Sequence, residues 1–151
     1  ALIGASGLHV PGFPIADLFM LSLSRDGGKH DDVRRLLFAS SDLPLANELF
    51  PDLRASVEDE LLRYKALTFA GRVGWSPPYL YDPKLRARLG RITCPSLVLW
   101  GHDDHLIPPT HAQAYAEGLP NPTLRILDGA GHSPQLELPE ETAKLIADFF
   151  A

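Results

Sequence analysis

The sequence predicts an α/β fold in which parallel strands carry helices on their faces and a mostly helical segment precedes the main strands. Three observations predict it. An apolar run at Pro95–Trp100, bounded by proline and glycine, is typical of a strand buried on both faces of a parallel sheet. From there to the end, the chain reads as strand, loop, helix, strand, loop and helix. The stretch before it has helical spacing of apolar residues, broken by turns.

The first half of the chain contains one short strand and several predicted helices. Ala1–Ile3 is an apolar stub that reads as the end of a strand, and Gly4–Pro14 is a loop. The segments with helical spacing are Ile15–Leu23, His30–Ala39, Ser56–Val73 and Pro83–Leu89. Ser40–Pro51 leaves room only for a short helix. Ser56 can cap the longest helix, because acidic residues follow it in the first turn. Gly74–Asp82 is an aromatic, proline-rich loop.

The second half alternates strands with helices. Thr110–Gly118 predicts a helix that ends at its glycine. Thr123–Leu127 alternates apolar and polar residues, which predicts a second strand. Pro139–Phe150 predicts a helix with one apolar stripe, and Pro139 followed by two glutamates is a strong start signal. Gly101–Pro109 and Asp128–Pro134 are therefore the loops that follow the two strands.

Composition excludes several function classes. Lys plus Arg number 14 and Asp plus Glu 19, so the net charge of −5 provides no basic field for nucleic acid or an anionic membrane. No apolar run is long enough to span a bilayer. The single cysteine, Cys94, excludes an internal disulfide framework and a cysteine-based zinc site, and we expect it to be a small buried residue. We therefore expect neither a nucleic-acid nor a membrane partner.

Two polar loops carry the candidate chemistry. The loop after the first strand contains His102, Asp103, Asp104 and His105, and the loop after the second contains Gly131-His132-Ser133. In a parallel sheet, loops beyond the carboxyl ends of the strands hold catalytic groups. An acid after one strand and a histidine after the next can orient an imidazole and leave its second nitrogen free as a base.

These pieces resemble the C-terminal part of the α/β-hydrolase family. The resemblance runs from about Pro83 to Phe150 and is carried by CPSLVLWGHDDHLIPP and LDGAGHSPQLELPEE. The family pattern is a strand followed by Gly-x-x-Asp, then a strand followed by Gly-x-Gly-His. Counted from Gly101, it implies that Asp104 is the catalytic acid and His132 the catalytic histidine. It implies no cofactor and no metal.

The family also implies a division of the chain. Residues 1–13 would be the end of core strand six and its loop, residues 14–82 a helical cap, and residues 83–151 the C-terminal part of the hydrolase core. The cap commonly lines the substrate pocket in this family. The candidate pocket residues are Trp75, Tyr79, Tyr81 and Leu106. The alternative for each aromatic is that it packs the cap onto the core.

The family's nucleophile motif is the main departure. Members carry Gly-x-Ser-x-Gly or a related form on a sharp turn, and no such motif occurs in this sequence. Ser6 is the nearest imitation, but Leu8 stands where the motif needs glycine, and Pro11 interrupts the helix that should follow. We therefore expect a fragment that lacks the N-terminal half of the same protein and is inactive alone.

Other assignments compete at the two loops. Asp103 is an alternative acid, although the family spacing favours Asp104. A metal site is a further alternative, formed from His102, Asp103, Asp104, His105, His111 and His132. The family pattern already accounts for Asp104 and His132, and we expect His102, His105 and His111 to be exposed loop or helix-start residues. The functional expectation is a cytoplasmic hydrolase that cleaves a small-molecule ester or related bond by nucleophile–histidine–acid catalysis. The alternative is a non-catalytic relative that binds a small molecule or a partner.

Overall fold

A computed structural model describes residues 1–17, 31–51, 56–58, 61–62, 64–65, 68 and 80–151. Strands β1 (Leu2–Ile3), β2 (Ser96–Gly101) and β3 (Pro122–Leu127) form a parallel sheet in the order β1-β2-β3. The predicted α/β class with a parallel sheet is confirmed. Since β2 lies between its neighbours, it pairs with both, placing Leu2 opposite Val98 and Ser96 opposite Pro122.

Strand β2 is buried on both faces, as its apolar run predicts. Val98 and Trp100 point into a core cluster with Tyr115 and other apolar residues, while Leu97 and Leu99 point into a second cluster on the opposite face. The alternation follows from the two-residue period of a strand. Each buried aliphatic side chain of this size contributes about 1.5–3 kcal/mol to folding. The two clusters therefore fix β2 as the centre of the sheet.

The described helices lie on both faces of the sheet and in the segment that precedes β2. They are α1 (Asp31–Leu37), α2 (Pro44–Leu49), α3 (Leu85–Leu89), α4 (Thr110–Gly118), α5 (Pro134–Glu137) and α6 (Pro139–Phe150). Helix α4 packs against β2 and β3. Helix α6 contributes Leu145, Ile146 and Phe149 to the opposite cluster. None of the helices among the described residues is both long and apolar enough to cross a membrane.

Several predicted helix bounds need correction. Helix α3 begins at Leu85 rather than Pro83, because Asp82 Oδ1 accepts a hydrogen bond from the Lys84 amide and forms a turn first. Helix α1 ends at Leu37 rather than Ala39. The Ala39 amide donates a hydrogen bond to the Glu137 carboxylate instead of to a carbonyl of the helix. Helix α5 is not in the prediction at all. The predicted helix at 15–23 lies outside the described residues except for 15–17, which are not helical.

The long predicted helix at 56–73 and the loop at 74–82 are described only in part. Positions 57, 58, 61, 62, 64, 65 and 68 are helical, and the Thr68 hydroxyl donates to the Tyr64 carbonyl at 2.8 Å. This i to i−4 contact fits a helix. The division of the chain at residues 13 and 82 stays a prediction.

The segment that follows β1 is a loop, as predicted, and hydrogen bonds and a buried side chain hold it to the core. The Tyr115 hydroxyl donates to the Ser6 carbonyl, the Asp82 amide donates to the Gly7 carbonyl at 3.0 Å, and Leu8 is buried. Burial raises the pKa of the Tyr115 phenol above its ordinary value. No helix starts between residues 4 and 14, all of which are described. Ser6 therefore lies on a loop and not on a strand-to-helix turn.

Candidate active site

The loops after β2 and β3 touch each other through their backbones. The His102 amide donates to the Leu127 carbonyl at 2.8 Å, and the Asp103 amide donates to the Ala130 carbonyl at 2.9 Å. A Cβ at Gly101 would lie 2.0 Å from the Gly131 carbonyl oxygen, which is a collision. Only glycine therefore fits at the end of β2, and its absence of a side chain brings the two loops together.

Asp104 is buried and held by the turn that follows it. Its Oδ1 accepts hydrogen bonds from the amides of Leu106 at 3.0 Å and Ile107 at 2.8 Å. The residue is 2% exposed. Two backbone donors on one oxygen fix the orientation of the carboxylate. The other oxygen, Oδ2, is left to face the neighbouring loop.

That second oxygen meets His132. Asp104 Oδ2 lies 3.0 Å from His132 Nδ1. A carboxylate accepts, so Nδ1 carries the proton and the unprotonated nitrogen of a neutral ring is Nε2. Within the described ranges Nε2 has no hydrogen-bond partner, and the His132 side chain is 23% exposed. The pair therefore provides a nitrogen base: Asp104 orients the ring through Nδ1, and Nε2 is free to accept a proton.

Gly4 supports the imidazole from the end of β1. A Cβ at this position would lie 2.8 Å from the His132 carbonyl oxygen and 3.2 Å from its ring carbon Cε1. The φ angle of Gly4 is +52°, a left-handed conformation that glycine adopts without steric cost. The first strand thus reaches the site through its backbone. Sequence reasoning missed this contact, because a glycine in a loop rich in glycine and proline gives no signal of its own.

The loop of His132 also rests on the segment after α1. The His132 amide donates to the Leu37 carbonyl at 2.9 Å. Glu137, another residue that sequence reasoning missed, accepts from the Gly131 amide at 2.9 Å and from the Ala39 amide at 2.8 Å. The backbone of His132 is therefore fixed from two sides.

The structure separates the two candidate acids. The Asp103 carboxylate lies 3.2 Å from His102 Nδ1, and both of these side chains are open to solvent. Asp104, and not Asp103, contacts His132. The difference follows from the turn, because the donors of Leu106 and Ile107 draw only Asp104 inward.

The predicted pocket residues lie in different surroundings. Leu106 is 6% exposed and belongs to the core cluster beneath the acid. Tyr81 is exposed and its ring contacts His9 at 5.7 Å between ring centroids, with no described contact to His132. Trp75 and Tyr79 lie outside the described residues. An open cavity of about 450 Å³ lies between α1, the segment 38–41 and His105, beside the acid loop.

Two expectations about polar residues are wrong. His111 is fully buried and not exposed, because its Nε2 bonds the Phe13 carbonyl at 2.8 Å where the 4–14 loop covers α4. Cys94 is exposed and not buried, since it precedes β2 where the chain has not yet entered the sheet. His102 and His105 are exposed, as expected. Among the residues that the structure describes, no three His, Cys, Asp or Glu side chains are grouped to hold a metal ion.

Comparison with known proteins gives a family and several relatives. The model of the alpha/beta hydrolase family matches residues 1–145 of this chain. A 2-hydroxy-6-oxononadienedioate/2-hydroxy-6-oxononatrienedioate hydrolase of Cupriavidus pinatubonensis (strain JMP 134 / LMG 1197) is 36% identical over 106 residues, which are 69% of this chain and 36% of that protein. A monoacylglycerol lipase of Mus musculus is 34% identical over 67 residues, which are 44% of this chain and 20% of that protein.

Solved structures share the fold over almost the whole chain. The 2-hydroxy-6-oxo-6-phenylhexa-2,4-dienoate hydrolase of Rhodococcus sp. strain RHA1 superposes with a TM-score of 0.71 at 20% identity, covering 99% of this chain and 53% of that one. A thermophilic esterase has a TM-score of 0.65 at 19% identity, covering 97% of this chain and 53% of its own. The chain thus spans about half the length of these structures and less of the curated relatives.

Proposed function

We propose, from the premise that this chain belongs to the alpha/beta hydrolase family, that it contributes the acid and base of a hydrolase acting on a small-molecule ester or related bond. His132 is the general base and Asp104 its orienting acid. The observation that carries the proposal is the 3.0 Å contact between Asp104 Oδ2 and His132 Nδ1, with Nε2 open. The names of the relatives support hydrolysis as the reaction class.

In the proposed mechanism, His132 Nε2 takes the proton of a nucleophile as the nucleophile attacks the substrate carbonyl. The imidazole becomes an imidazolium, which the Asp104 carboxylate stabilises through Nδ1. Nε2 then returns the proton to the leaving group, and the acyl group stays on the nucleophile. In a second round, Nε2 deprotonates a water molecule as the water attacks the acyl group, and it returns that proton to the nucleophile as the bond between the nucleophile and the acyl group breaks and the acid product leaves.

The nucleophile is proposed to come from a polypeptide segment outside these 151 residues. The sequence contains no Gly-x-Ser-x-Gly motif, and Ser6 is exposed on a loop that continues without helix through residue 17, where the described stretch ends. The chain also spans about half the length of the hydrolases that share its fold. The missing N-terminal half of the same protein is the partner that would supply the nucleophile and the remaining strands.

The segment at residues 14–82 is proposed as the cap over the substrate pocket. Helix α1 ends against the loop of His132, where the Leu37 carbonyl accepts from the His132 amide at 2.9 Å. A cavity beside α1 opens next to the acid loop. Substrate choice would then depend on this segment, and the chemistry on the two loops beneath it.

The test uses this chain produced together with the upstream half. Turnover is measured on monoacylglycerols, simple esters and 2-hydroxy-6-oxo dienedioates, for the unaltered protein and for His132→Ala. We expect the variant to lose several orders of magnitude in rate, because removal of a triad member leaves only residual catalysis. His102→Ala, an exposed histidine 30 positions earlier in the neighbouring loop, is the matched control and should retain its rate.

The opposite result would favour a non-catalytic relative. If no substrate is turned over, or if His132→Ala matches the unaltered protein, the pair is not a catalytic acid and base. Binding of the same compounds without turnover would then point to a small-molecule binding protein. Identification of the upstream residue at the nucleophile turn separates the two functions, since serine, cysteine or aspartate there supports an enzyme, and only serine or cysteine carries the proton that the proposed first step transfers to Nε2.

A further inference from the structure

Glu137 joins the loop of His132 to the segment after α1 with a single carboxylate. We propose that Glu137 is a positioning residue that holds His132 at the distance and angle needed to meet Asp104. The proposal rests on the proposed function of His132. Glu137 is bonded to neither the imidazole nor Asp104 in the structure, so any effect on the reaction must pass through the backbone that it holds.

Each oxygen of the carboxylate accepts one backbone amide. Oε1 accepts from Gly131 at 2.9 Å, and Oε2 accepts from Ala39 at 2.8 Å. The two amides are 92 positions apart in sequence, yet one side chain satisfies both. Hydrogen bonds to an ionised acceptor are shorter and stronger than those between neutral groups. The carboxylate is therefore a clamp between two distant parts of the chain.

The two segments touch so closely that little else could serve these amides. A Cβ at Gly131 would lie 2.7 Å from the Phe38 backbone and from the Ala39 nitrogen. Gly131 is buried, and its hydrogen bond to Glu137 is in a partly buried region. A buried amide left without an acceptor is destabilising, so loss of the carboxylate would drive the segments apart or admit water between them.

The clamp acts one residue away from the imidazole. The amide of Gly131 is bonded to Glu137 and the next amide, that of His132, is bonded to the Leu37 carbonyl at 2.9 Å. These two consecutive bonds fix the peptide from which the His132 ring projects. If the first is lost, the second weakens as the segments separate. The ring then shifts relative to Asp104 Oδ2, and displacements of about 1 Å are enough to cost about 100-fold in rate.

The chain offers a matched pair of substitutions. Glu137→Gln keeps the shape of the side chain but leaves only one acceptor oxygen, and its amide nitrogen would face the second backbone N–H as a donor. Glu140→Gln makes the same chemical change on an exposed glutamate in the first turn of α6. Both variants lose one negative charge near the same loop. Only Glu137→Gln breaks the clamp.

The experiment measures kcat, KM and amide hydrogen exchange in the protein that includes the upstream half. For Glu137→Gln we expect kcat to fall about 10- to 100-fold with KM within about threefold. We also expect faster exchange in peptides that contain Gly131 and Ala39, and unchanged exchange in β2 and α6. Glu140→Gln should match the unaltered protein in all of these measurements.

Two results would overturn the proposal. One is a kcat for Glu137→Gln equal to that of Glu140→Gln. The other is loss of exchange protection throughout the protein together with loss of kcat, which would make Glu137 a general stability residue. His132→Ala separates this failure from that of the proposed function. If turnover does not depend on His132, the proposed function fails, while the exchange at Gly131 and Ala39 still decides whether Glu137 is the clamp.

Discussion

Gly4 lies with its backbone against the imidazole of His132, so that a Cβ on Gly4 would be 3.2 Å from the ring carbon Cε1 and 2.8 Å from the His132 carbonyl oxygen. The end of β1 is thereby part of the wall behind the candidate base. This contact connects residues at opposite ends of the chain. A single substitution at Gly4 therefore tests whether the position of the His132 ring matters for the reaction.

Gly4→Ala should lower the turnover rate well below that of a glycine-to-alanine control with a similar backbone conformation. The added methyl group collides with the His132 carbonyl oxygen and crowds the imidazole at Cε1 and Nδ1, which disturbs the contact of Nδ1 with Asp104, and the left-handed φ of +52° adds about 1–2 kcal/mol of strain. Gly12→Ala is the matched control, because Gly12 has a φ of +82° and no atom lies within 4 Å of the point that its Cβ would occupy. Rate and thermal midpoint are measured for both. Equal losses of rate in the two variants would contradict a role for Gly4 at the site.

Asp104→Asn should reduce the rate on the order of 10³- to 10⁴-fold with little change in binding. The amides of Leu106 and Ile107 need an acceptor, so the introduced side chain turns its oxygen toward them and its NH₂ toward His132. The imidazole must then accept at Nδ1, which places its proton on Nε2, where a base is required. Asp103→Asn is the control and should be mild. A severe loss in Asp103→Asn with a mild one in Asp104→Asn would reverse the assignment.

Trp75→Ala and Tyr79→Ala should change substrate preference and not the chemistry itself. If residues 14–82 cover the pocket, removing these aromatics alters which chain lengths fit, and each missing methylene contact costs about 1–3 kcal/mol of discrimination. Rates are compared across esters of increasing length. Phe150→Ala, an exposed aromatic of α6, is the control. The same loss on every ester would indicate that these residues only pack the cap.

Ionisation of the Tyr115 phenol should lower the stability of the folded protein at alkaline pH. Burial raises the pKa of the folded-state phenol above 10.0, so the unfolded chain loses the proton first as pH rises. The contribution of Tyr115 is therefore complete below pH 10.0 and declines above it. Tyr115→Phe should lack part of this decline, and should lose about 1 kcal/mol near neutral pH with the hydrogen bond to the Ser6 carbonyl.

The check on this prediction is urea denaturation near neutral pH and above pH 10.0. Tyr64→Phe is the control, because the Tyr64 side chain is exposed. An alkaline decline in stability that is the same in Tyr115→Phe and in the unaltered protein would show that other groups cause it.

The meeting of an acid loop and a histidine loop was predictable from local rules, and the resemblance to the family favoured Asp104 over Asp103 as the acid. Adjacent parallel strands end at the same edge of a sheet, and a buried strand is evident from its apolar run. The structure brings the two predicted residues to 3.0 Å. The catalytic roles themselves stay proposals.

The residues that surround the pair were not predictable in the same way. Glu137 reaches Ala39 across 98 positions of sequence, and helical or strand periodicity contains no information about such a contact. His111 is buried by a loop that begins more than 90 residues earlier, and its own helix-start position suggested exposure. Tertiary packing decides these surroundings, and local pattern does not.

The close approach of Gly101 to the Gly131 carbonyl has a consequence for engineering. The distance between the loops of Asp104 and His132 is set where the Gly101 backbone contacts the Gly131 carbonyl, and peptide groups have fixed dimensions. Repacking of aliphatic side chains in the two core clusters should therefore leave the spacing of the pair almost unaltered. A more stable variant can therefore be sought through volume-conserving substitutions in these clusters, provided that Gly101, Gly4 and Glu137 are left unaltered.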